Sequence, residues 1–495
     1  ESVDSVSLAG PGFININLSR KYFVKSIQEI LERENDYGRQ EIGKGKTILV
    51  EYSSPNIAKP FTVGHLRSTI IGDAIANILD SLGYTVVRDN HLGDWGTQFG
   101  KLLVSLEKWG DIGEIEKSES PIKDLASLYV RFHTEAENDS SLEDMARLKF
   151  QELENGGNGE IQEIWKKCID LSKKEFERIY EQLGVEFDTQ IGESFYATKE
   201  MTDKVVKELE SKDLIRESEG AQVVFFEGEK YPPLIIKKTD GTSIYATRDL
   251  ATDLYRKERY GNDLTILNEV GSEQALYFKQ LYETEKMLGW FREGDRVHIA
   301  HGLLRLKEGK ISTRKGNAIW LEDSIKEAVD RANKINPEST NEVAMAALKF
   351  NDLKRDSPQD IIFDWDEMMS MTGDSGPYLQ YSCARARSVL AKAEELKIKT
   401  VLNADSKSSP ALENLEKLLV RFPETVERAG REYKANILAS YLINLGAQFN
   451  HFYANNIIAD EKDADAPHKA ALTKAFSIVM TNGLRLLGIK VPKRM

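Results

Sequence analysis

Two loops of the chain combine residues that could bind phosphate groups. The first loop, residues 51–65, ends in Thr62-Val63-Gly64-His65, where the glycine would let a nucleotide approach the backbone at the start of a helix. His65 could then donate a hydrogen bond to a phosphate oxygen. The second loop, residues 307–317, holds cations and a hydroxyl between glycines, among them Lys310, Ser312 and Lys315. Cations grouped in this way would neutralise the charge of a triphosphate as pyrophosphate leaves.

Each loop alone also has a simpler explanation. Gly64 and His65 could form an ordinary capping turn at a helix start, and the second loop could be a basic turn exposed to solvent. The first loop, however, follows a predicted strand, and doubly wound sheets bind their ligands beyond the carboxyl ends of strands. The two loops together are therefore more specific than either one.

The sequence around the first loop predicts a strand, a helix and a second strand. Residues 47–50 form a largely apolar run, which is typical of a strand buried on both faces of a parallel sheet. Apolar residues then recur at helical spacing over 66–82, and an apolar run over 85–87 begins the next strand. This order predicts an α/β fold with a doubly wound, Rossmann-type parallel sheet.

Other parts of the chain are expected to surround this sheet. Alternation over 14–18 predicts a half-buried strand, and residues 108–184 form a charged helical stretch that we interpret as part of an insertion. Further strands are predicted over 223–226, 234–236 and 264–267. From Asp323 onward the pattern is almost exclusively helical, which predicts an all-α bundle.

Composition excludes several classes of protein. The 495 residues are 41% hydrophobic, which is too apolar for a disordered chain and is enough for two to four domains of about 100–200 residues. No apolar run approaches the ~18 residues of a membrane-spanning helix. The two cysteines, Cys168 and Cys383, cannot form a cysteine-rich metal site or a disulfide framework, and such usage fits the cytoplasm.

The charge of the chain is unevenly distributed. The net charge is −13, which argues against a surface that coats nucleic acid throughout. Residues 376–495 nevertheless carry an excess of lysine and arginine over acidic residues. This asymmetry suits a partner that is anionic at one end, although ordinary variation between domains would explain it equally well.

The two loops resemble the HIGH and KMSKS signatures of class I aminoacyl-tRNA synthetases. Four further segments, in the same order along the chain, resemble arginyl-tRNA synthetases in particular: 53–59 (SSPNIAK), 92–96 (LGDWG), 245–249 (YATRD) and 376–381 (GPYLQY). The resemblance extends from about Gly10 to Met495. It implies a catalytic domain over 32–345 with an insertion over about 108–240, and a helical anticodon-binding domain over 346–495. Residues 1–31 would be the remnant of an N-terminal domain that is mostly missing.

The resemblance also implies which residues hold ATP, with Mg²⁺ bound to it. The ATP contacts would be Thr62, Gly64, His65, His301, Gly302, Lys310 and Ser312. The catalytic residues would be Lys59, His65, Lys310, Ser312 and Lys315, and the chain itself would supply no metal site. Thr62 replaces the first histidine of HIGH, and Thr313 replaces the second lysine of KMSKS. Lys59, just upstream of HIGH, is expected to supply the displaced cation, with Arg314 and Lys315 as further candidates.

A pocket that selects arginine needs carboxylates and a flat contact, because a guanidinium is a planar, permanently charged fork of five donors. The resemblance assigns these roles to Glu193, Asp249 and Tyr245. If the segment is helical, the spacing of Tyr245 and Asp249 places both on one face. The resemblance further implies that the α-amino and carboxylate end of arginine is held by Ser54, Asn56 and Gln274, with Glu51 behind them.

The activity that the resemblance implies has two steps. Arginine would attack the α-phosphate of ATP to give arginyl-adenylate, and the terminal 2′-hydroxyl of tRNA(Arg) would then take the arginyl group. Tyr453 is predicted to stack on an anticodon base and Arg385 to contact the tRNA, although most of the aromatic cluster around Tyr453 would be core. A cytoplasmic monomer is expected, with tRNA(Arg) and L-arginine as partners and no membrane association.

Two alternatives remain at this point. Thr62 and Thr313 would suit a catalytically impaired tRNA-binding paralogue, but the rest of the pocket is present as a set, which favours an active enzyme. The other alternative is a class I synthetase for glutamate, glutamine or lysine. A glutamate pocket would present cations to the side chain, whereas Glu193 and Asp249 are carboxylates.

Overall fold

A computed structural model describes residues 2–59, 61–157, 159–238, 244–306, 309–310, 319–406 and 409–495, with only the backbone at 306, 309 and 310. The strands are β1 (Val3–Ala9), β2 (Phe13–Leu18), β3 (Thr47–Glu51), β4 (Thr85–Leu92), β5 (Thr189–Gly192), β6 (Ile215–Ser218), β7 (Ala221–Val224), β8 (Leu234–Lys237), β9 (Thr265–Gly271), β10 (Arg296–His301), β11 (Leu304–Leu306), β12 (Gly309–Lys310) and β13 (Ile361–Ile362). The first helices are α1 (Arg20–Arg33), α2 (Val63–Ser81), α3 (Thr97–Trp109), α4 (Ile112–Glu116), α5 (Pro121–Ala136), α6 (Ser141–Glu154), α7 (Gly159–Leu183), α8 (Glu193–Tyr196), α9 (Lys199–Ser211) and α10 (Tyr245–Tyr260). The remaining helices are α11 (Ala275–Met287), α12 (Leu321–Ile335), α13 (Thr340–Leu353), α14 (Trp365–Met368), α15 (Gly376–Glu395), α16 (Pro410–Val420), α17 (Phe422–Arg431), α18 (Ala435–Asn455) and α19 (Ala466–Leu486).

The main sheet is five-stranded and parallel, with the order β10-β9-β3-β4-β5. If these five strands are numbered 1 to 5 in chain order, the sheet read from β5 to β10 has the order 3-2-1-4-5, which is the Rossmann order. The predicted doubly wound α/β fold is therefore confirmed. The strand order reverses between β3 and β9, and their carboxyl ends, Glu51 and Gly271, open a crevice at that point.

Helix α2 connects the sheet to the helical part of the chain. It begins directly after the first loop and is buried along most of its length. It packs on β4 and β9 and also on α13, α17, α18 and α19. Because it is covered on both sides, its sequence is apolar nearly all round rather than along one stripe. The loop at its N-terminus is therefore held on a rigid support.

The segment between β4 and β9 is more elaborate than one helical insertion. Helices α3 to α7 lie between β4 and β5 and include a small core around Phe132 and Leu142. Strand β5 then pairs with β4 in the main sheet, and β6, β7 and β8 form a separate antiparallel sheet. The range 108–240 that we assigned to an insertion thus includes a strand of the main sheet. Residues 189–192 carry no apolar run that would have indicated it.

The C-terminal helices α15 to α19 pack together, with the Phe449 and Phe476 rings stacked at a centroid distance of 3.8 Å. Helix α1 packs on α16 and α19. The hairpin β1–β2 precedes it, and every residue of β2 is exposed, so the prediction of a half-buried strand there is wrong about burial. None of the helices in the described ranges has the length and apolar character needed to cross a bilayer.

Candidate active site

A cavity of about 680 Å³ lies where the strand order reverses, beyond the carboxyl ends of β3 and β9. Eleven predicted site residues line it: Glu51, Ser54, Asn56, Thr62, Gly64, His65, Glu193, Tyr245, Asp249, Gln274 and His301. Lys59 and Gly302 do not line it. Ser312 and Lys315, and the side chain of Lys310, lie outside the described residues. A larger cavity of about 1170 Å³ between β4, α2 and the C-terminal residues contains none of the predicted site residues.

The loop after β3 has a strained backbone held by its neighbours. Ser53, Ser54 and Ala58 have φ values of 70°, 42° and 55°, which are rarely adopted by residues other than glycine. Side chains from other elements fix these peptides: Ser53 N donates to Ser68 Oγ at 2.9 Å and Ala58 N to Ser172 Oγ at 2.9 Å. The Ser54 hydroxyl is buried without a hydrogen-bond partner among the described residues. It is therefore available to a ligand in the cavity.

Asn56 is positioned by the segment 92–96. Asn56 and Gly93 form an isolated parallel bridge, and a Cβ atom on Gly93 would lie 2.5 Å from Asn56 Oδ1. Only glycine permits this approach. Gln98 Nε2 donates to Asn56 Oδ1 at 3.1 Å, which fixes the orientation of the amide. Its nitrogen can then act as a donor toward the cavity.

His65 is oriented by the cap of α2. Thr62 N donates to His65 Nδ1 at 3.1 Å, so the neutral imidazole carries its proton on Nε2. Burial, together with the nearby charges of Lys59 and His301, lowers the pKa of His65 to about 4. His65 is therefore a neutral hydrogen-bond donor at the N-terminus of a helix, where the helix dipole favours an anion. Thr62, which replaces a histidine of the signature, retains a defined role as the cap.

The pKa of His301 shifts in the opposite direction to that of His65. Its Nδ1 lies 2.8 Å from Glu269 Oε1. Burial acts against its charge, but the adjacent Glu269 carboxylate outweighs burial and raises the pKa of His301. The carbonyl of the next residue, Gly302, accepts a hydrogen bond from Arg67 Nη1 at 2.7 Å, and Arg67 is itself paired with buried Asp352. Gly302 thus supports the site from outside the cavity.

The other end of the cavity is acidic. Burial, together with the neighbouring charge of Asp249, raises the pKa of Glu193 to about 7. Burial also raises the pKa of Asp249. The Tyr277 hydroxyl donates a hydrogen bond to this carboxylate, which lowers the pKa, but burial has the larger effect. Tyr245 and Asp249 lie on one face of α10, and Tyr245 is 59% exposed. Two carboxylates that resist ionisation without a counterion, beside an aromatic ring, suit a cationic ligand.

An extensive buried ion network behind Glu51 was not anticipated from the sequence. Arg256 Nη1 lies 2.6 Å from Glu51 Oε2 and 3.0 Å from Asp253 Oδ1, and Arg256 also pairs with Asp89. Arg296 bridges Asp253 at 2.7 Å and Glu285 at 2.9 Å. Helical spacing could have revealed part of it, because Asp253 and Arg256 follow Asp249 at intervals of four and three residues. The network holds Glu51 in place.

Lys59 points toward the insertion. Its Nζ lies 5.4 Å from the centroid of the Tyr129 ring on α5. It is nevertheless close enough to His65 for its charge to lower the pKa of that imidazole. The structure therefore places Lys59 at the edge of the site, beside the N-terminus of α2.

The two predicted tRNA contacts lie together on the helical domain. Arg385 on α15 stacks over the rings of Tyr381 and Tyr453, with its guanidinium carbon 4.7 Å and 5.0 Å from their centroids. Tyr453 is 37% exposed, whereas its neighbours Phe449 and Phe452 are buried. Arg385 and Tyr453 line a cavity of about 730 Å³, which offers an aromatic face and a cation to a base.

Comparison with known proteins identifies the family. Residues 26–365 match the family described as tRNA synthetases class I (R), catalytic domain, and residues 379–495 match the DALR anticodon binding domain. The arginine–tRNA ligase of Clostridium acetobutylicum is 44% identical over 504 residues, covering 99% of this chain and 88% of the relative. That of Halothermothrix orenii is 39% identical, covering 98% and 86%.

Solved structures of arginyl-tRNA synthetases also match this chain. The arginyl-tRNA synthetase of Plasmodium falciparum matches with a TM-score of 0.78 and 25% identity, covering 100% of this chain and 86% of that one. The Thermus thermophilus arginyl-tRNA synthetase has the same fold, with a TM-score of 0.84, 24% identity and coverage of 100% and 89%. The family inferred from the motifs is therefore confirmed. The chain belongs to the arginyl-tRNA synthetases, class I aminoacyl-tRNA synthetases with a DALR anticodon-binding domain.

Proposed function

We propose that the chain is an arginine–tRNA ligase that uses ATP to join L-arginine to tRNA(Arg). The observation that carries this proposal is the polarity of one cavity. Its acidic end, with Glu193 and Asp249, suits a guanidinium, and its other end, with His65 at the N-terminus of α2, suits phosphate. A substrate cation and a nucleotide would thus meet at the crevice where a Rossmann-type sheet binds its ligands.

In the first step the arginine carboxylate attacks the α-phosphorus of ATP. This forms arginyl-adenylate and releases pyrophosphate. Glu193 and Asp249 hold the guanidinium, and Ser54, Asn56 and Gln274 hold the α-amino and carboxylate end. Glu51, fixed by Arg256, supports them. Catalysis then depends on positioning the carboxylate in line with the leaving pyrophosphate.

The phosphate end neutralises charge as pyrophosphate leaves. His65 Nε2 donates to a phosphate oxygen, and Gly64 leaves the first turn of α2 open to it. We expect the adenine to bind beside His301, with Gly302 supporting this part of the site from outside the cavity. Mg²⁺ bound to ATP would further neutralise the phosphates. Lys59, Lys310, Ser312 and Lys315 are the further residues that we expect to act on the phosphates, with Lys59 in place of the signature lysine that Thr313 replaces.

In the second step the 2′-hydroxyl of the terminal adenosine attacks the adenylate carbonyl, and AMP leaves. No covalent protein nucleophile is needed, because the adenylate already activates the carboxyl group. The anticodon end of the tRNA is held by the helical domain, with Tyr453 stacked on a base and Arg385 beside it. We place this reaction in the cytoplasm, since both cysteines are buried free thiols, as suits a reducing compartment. A monomer is what the family resemblance implies.

Replacing Tyr453 by alanine is expected to weaken tRNA binding by about 5- to 150-fold, because stacking on one base contributes about 1–3 kcal/mol. Filter binding of tRNA(Arg) would measure the loss. Phe195→Ala is a matched control, because Phe195 is an exposed aromatic in the other domain, 47% exposed. Unchanged tRNA affinity in Tyr453→Ala would remove Tyr453 from the tRNA site.

The experiment that tests the proposed function is arginine-dependent exchange of pyrophosphate into ATP, measured with and without tRNA(Arg). Exchange that requires arginine and tRNA would establish the substrate, the chemistry and their coupling. An impaired tRNA-binding paralogue would instead bind tRNA and give no exchange. The cap that Thr62 provides for α2 favours the active enzyme, because it orients His65 without the first histidine of the signature.

A further inference from the structure

A third charged side chain contacts two of the residues proposed to hold the guanidinium of arginine. Arg248 precedes Asp249 on α10, and its Nη1 lies 3.5 Å from Glu193 Oε2. Its guanidinium carbon lies 4.8 Å from the centroid of the Tyr245 ring. Arg248 is 8% exposed and is not among the residues that line the cavity. It therefore supports the substrate pocket from outside the cavity.

Most buried acids that line the cavity already have a partner. Glu51 and Asp253 are both paired with Arg256, at 2.6 Å and 3.0 Å. Glu269 is paired with His301 at 2.8 Å. These acids need no further cation, so they do not select for a positively charged substrate.

Glu193 and Asp249 differ from those acids. Of the described residues, the one permanent cation that pairs with them is Arg248, which contacts Glu193, while Asp249 is bonded to the neutral Tyr277 hydroxyl. His91, on β4, also lies near both carboxylates, but of these two neighbours Arg248 is the one whose charge is permanent. Two carboxylates thus share one internal cation. The substrate guanidinium supplies the second.

We propose that Arg248 determines specificity for a cationic side chain by setting this charge balance. With Arg248 in place, the pair Glu193 and Asp249 is completed by one further positive charge, so the pocket accepts a guanidinium. It rejects a ureido group of the same shape, such as that of citrulline, because a neutral ligand leaves one buried carboxylate without a counterion. The proposal rests on the proposed function, since it concerns the arginine pocket of that enzyme.

Loss of Arg248 would change what the pocket binds. The charged groups that act on the Glu193 carboxyl are His91, Asp249, Arg248 and Asp94, and of these Arg248 and His91 favour its ionised form. Without Arg248 the pKa of Glu193 rises, and the carboxyl takes up a proton. A protonated Glu193 can donate to the ureido oxygen of citrulline, but it offers less to a guanidinium.

The test compares Arg248→Gln with Arg248→Lys in the full chain at pH 8, above the raised pKa of Glu193. The kcat/KM for arginine and the inhibition constant of citrulline are measured in tRNA-dependent pyrophosphate exchange. In Arg248→Gln we expect discrimination between the two ligands to fall at least about tenfold. Arg248→Lys keeps the charge and should retain discrimination within about threefold. Arg259→Gln, an exposed arginine on α10, is the matched control and should leave discrimination unchanged.

Two results would overturn the proposal: wild-type discrimination in Arg248→Gln, or equal losses in Arg248→Gln and Arg248→Lys, which would indicate packing rather than charge. If Arg248→Gln does not fold, Arg248→Met serves instead, because it removes the charge and keeps an unbranched side chain beside the Tyr245 ring. Discrimination should again fall at least about tenfold, and retained discrimination would contradict the proposal. Absence of exchange in the wild-type chain would refute the proposed function itself, whereas an active wild type with unchanged variants would refute only the role of Arg248.

Discussion

The two ends of the active-site cavity contain ionisable groups that burial affects in opposite directions. At the acidic end burial raises the pKa of Glu193 to about 7 and also raises the pKa of Asp249. At the phosphate end burial lowers the pKa of His65 to about 4. Desolvation disfavours charge of either sign, so Glu193, Asp249 and His65 all move toward their neutral forms. The acidic end needs a cation to ionise fully, whereas His65 acts without charge, as a donor.

This difference implies that the two ends bind their ligands through different kinds of interaction. Binding at the acidic end is an ion pair in a desolvated pocket, so it depends on protonation and is sensitive to loss of either carboxylate. Binding at the phosphate end depends on donors oriented by α2 and its cap. Variants at one end should therefore affect arginine, and variants at the other should affect ATP and the rate of activation.

The largest effect is expected for Asp249→Asn. It removes a carboxylate that is oriented by Tyr277 and faces the substrate cation. We expect kcat/KM for arginine to fall about 10³-fold, because loss of one partner of a buried charged pair costs about 3–5 kcal/mol. The KM for ATP should change by less than about threefold. Steady-state pyrophosphate exchange measures both constants, and an equal rise in the KM of ATP would show that the two ends are not separate.

The next largest effect is expected for His65→Ala, which removes the oriented Nε2 donor. The kcat for pyrophosphate exchange should fall about 10²-fold, as is typical for loss of one donor to a developing negative charge. The KM for arginine should change little. Thr62→Val tests the cap of α2. Valine keeps the shape of threonine and the backbone N–H that orients His65, so kcat should fall less in Thr62→Val than in His65→Ala. A larger rise in arginine KM than fall in kcat would contradict the assignment.

The sequence predicted the parts of this site that local pattern controls. The apolar run of β3, the helical spacing of α2 and the glycine beside His65 are local features, and they predict the crevice between β3 and β9. Motif resemblance supplied Glu193 and Asp249, which are far apart along the chain.

The rest depends on tertiary contacts that have no local signal. Strand β5 has four residues and no apolar alternation, so pairing with β4 alone defines it. Arg256 and Arg248 look like surface residues of a charged helix in the sequence, but the fold buries both. Lys59 was expected among the catalytic residues, yet its side chain contacts Tyr129 of the insertion, whose packing no motif describes.

The acidic end should also respond to pH. The pKa of Glu193 is raised to about 7, so below that pH the carboxyl is protonated and must release its proton before it pairs with the guanidinium. Arginine remains charged throughout. We therefore expect the KM for arginine to be constant above about pH 7.5 and to rise up to about tenfold per pH unit below about pH 7. Glu193→Gln should bind arginine weakly and show a flatter pH profile, and an unchanged slope in this variant would assign the titration to another group, such as Asp249.

The smallest effect is expected for Ser54→Ala. The Ser54 hydroxyl is buried in the cavity wall with no partner among the described residues, so a hydrogen bond with arginine would satisfy it. Its loss should raise the KM for arginine about fivefold, which corresponds to about 1 kcal/mol, and leave the KM for ATP unchanged. Ser53→Ala is the matched control, because the Ser53 hydroxyl bonds instead to Thr69 Oγ1 at 2.8 Å and to Tyr180 at 2.7 Å. The control should lower the free energy of unfolding by about 1 kcal/mol, whereas Ser54→Ala should not. If the two serines gave the same result, the comparison between a ligand-facing hydroxyl and a structural one would fail at this position.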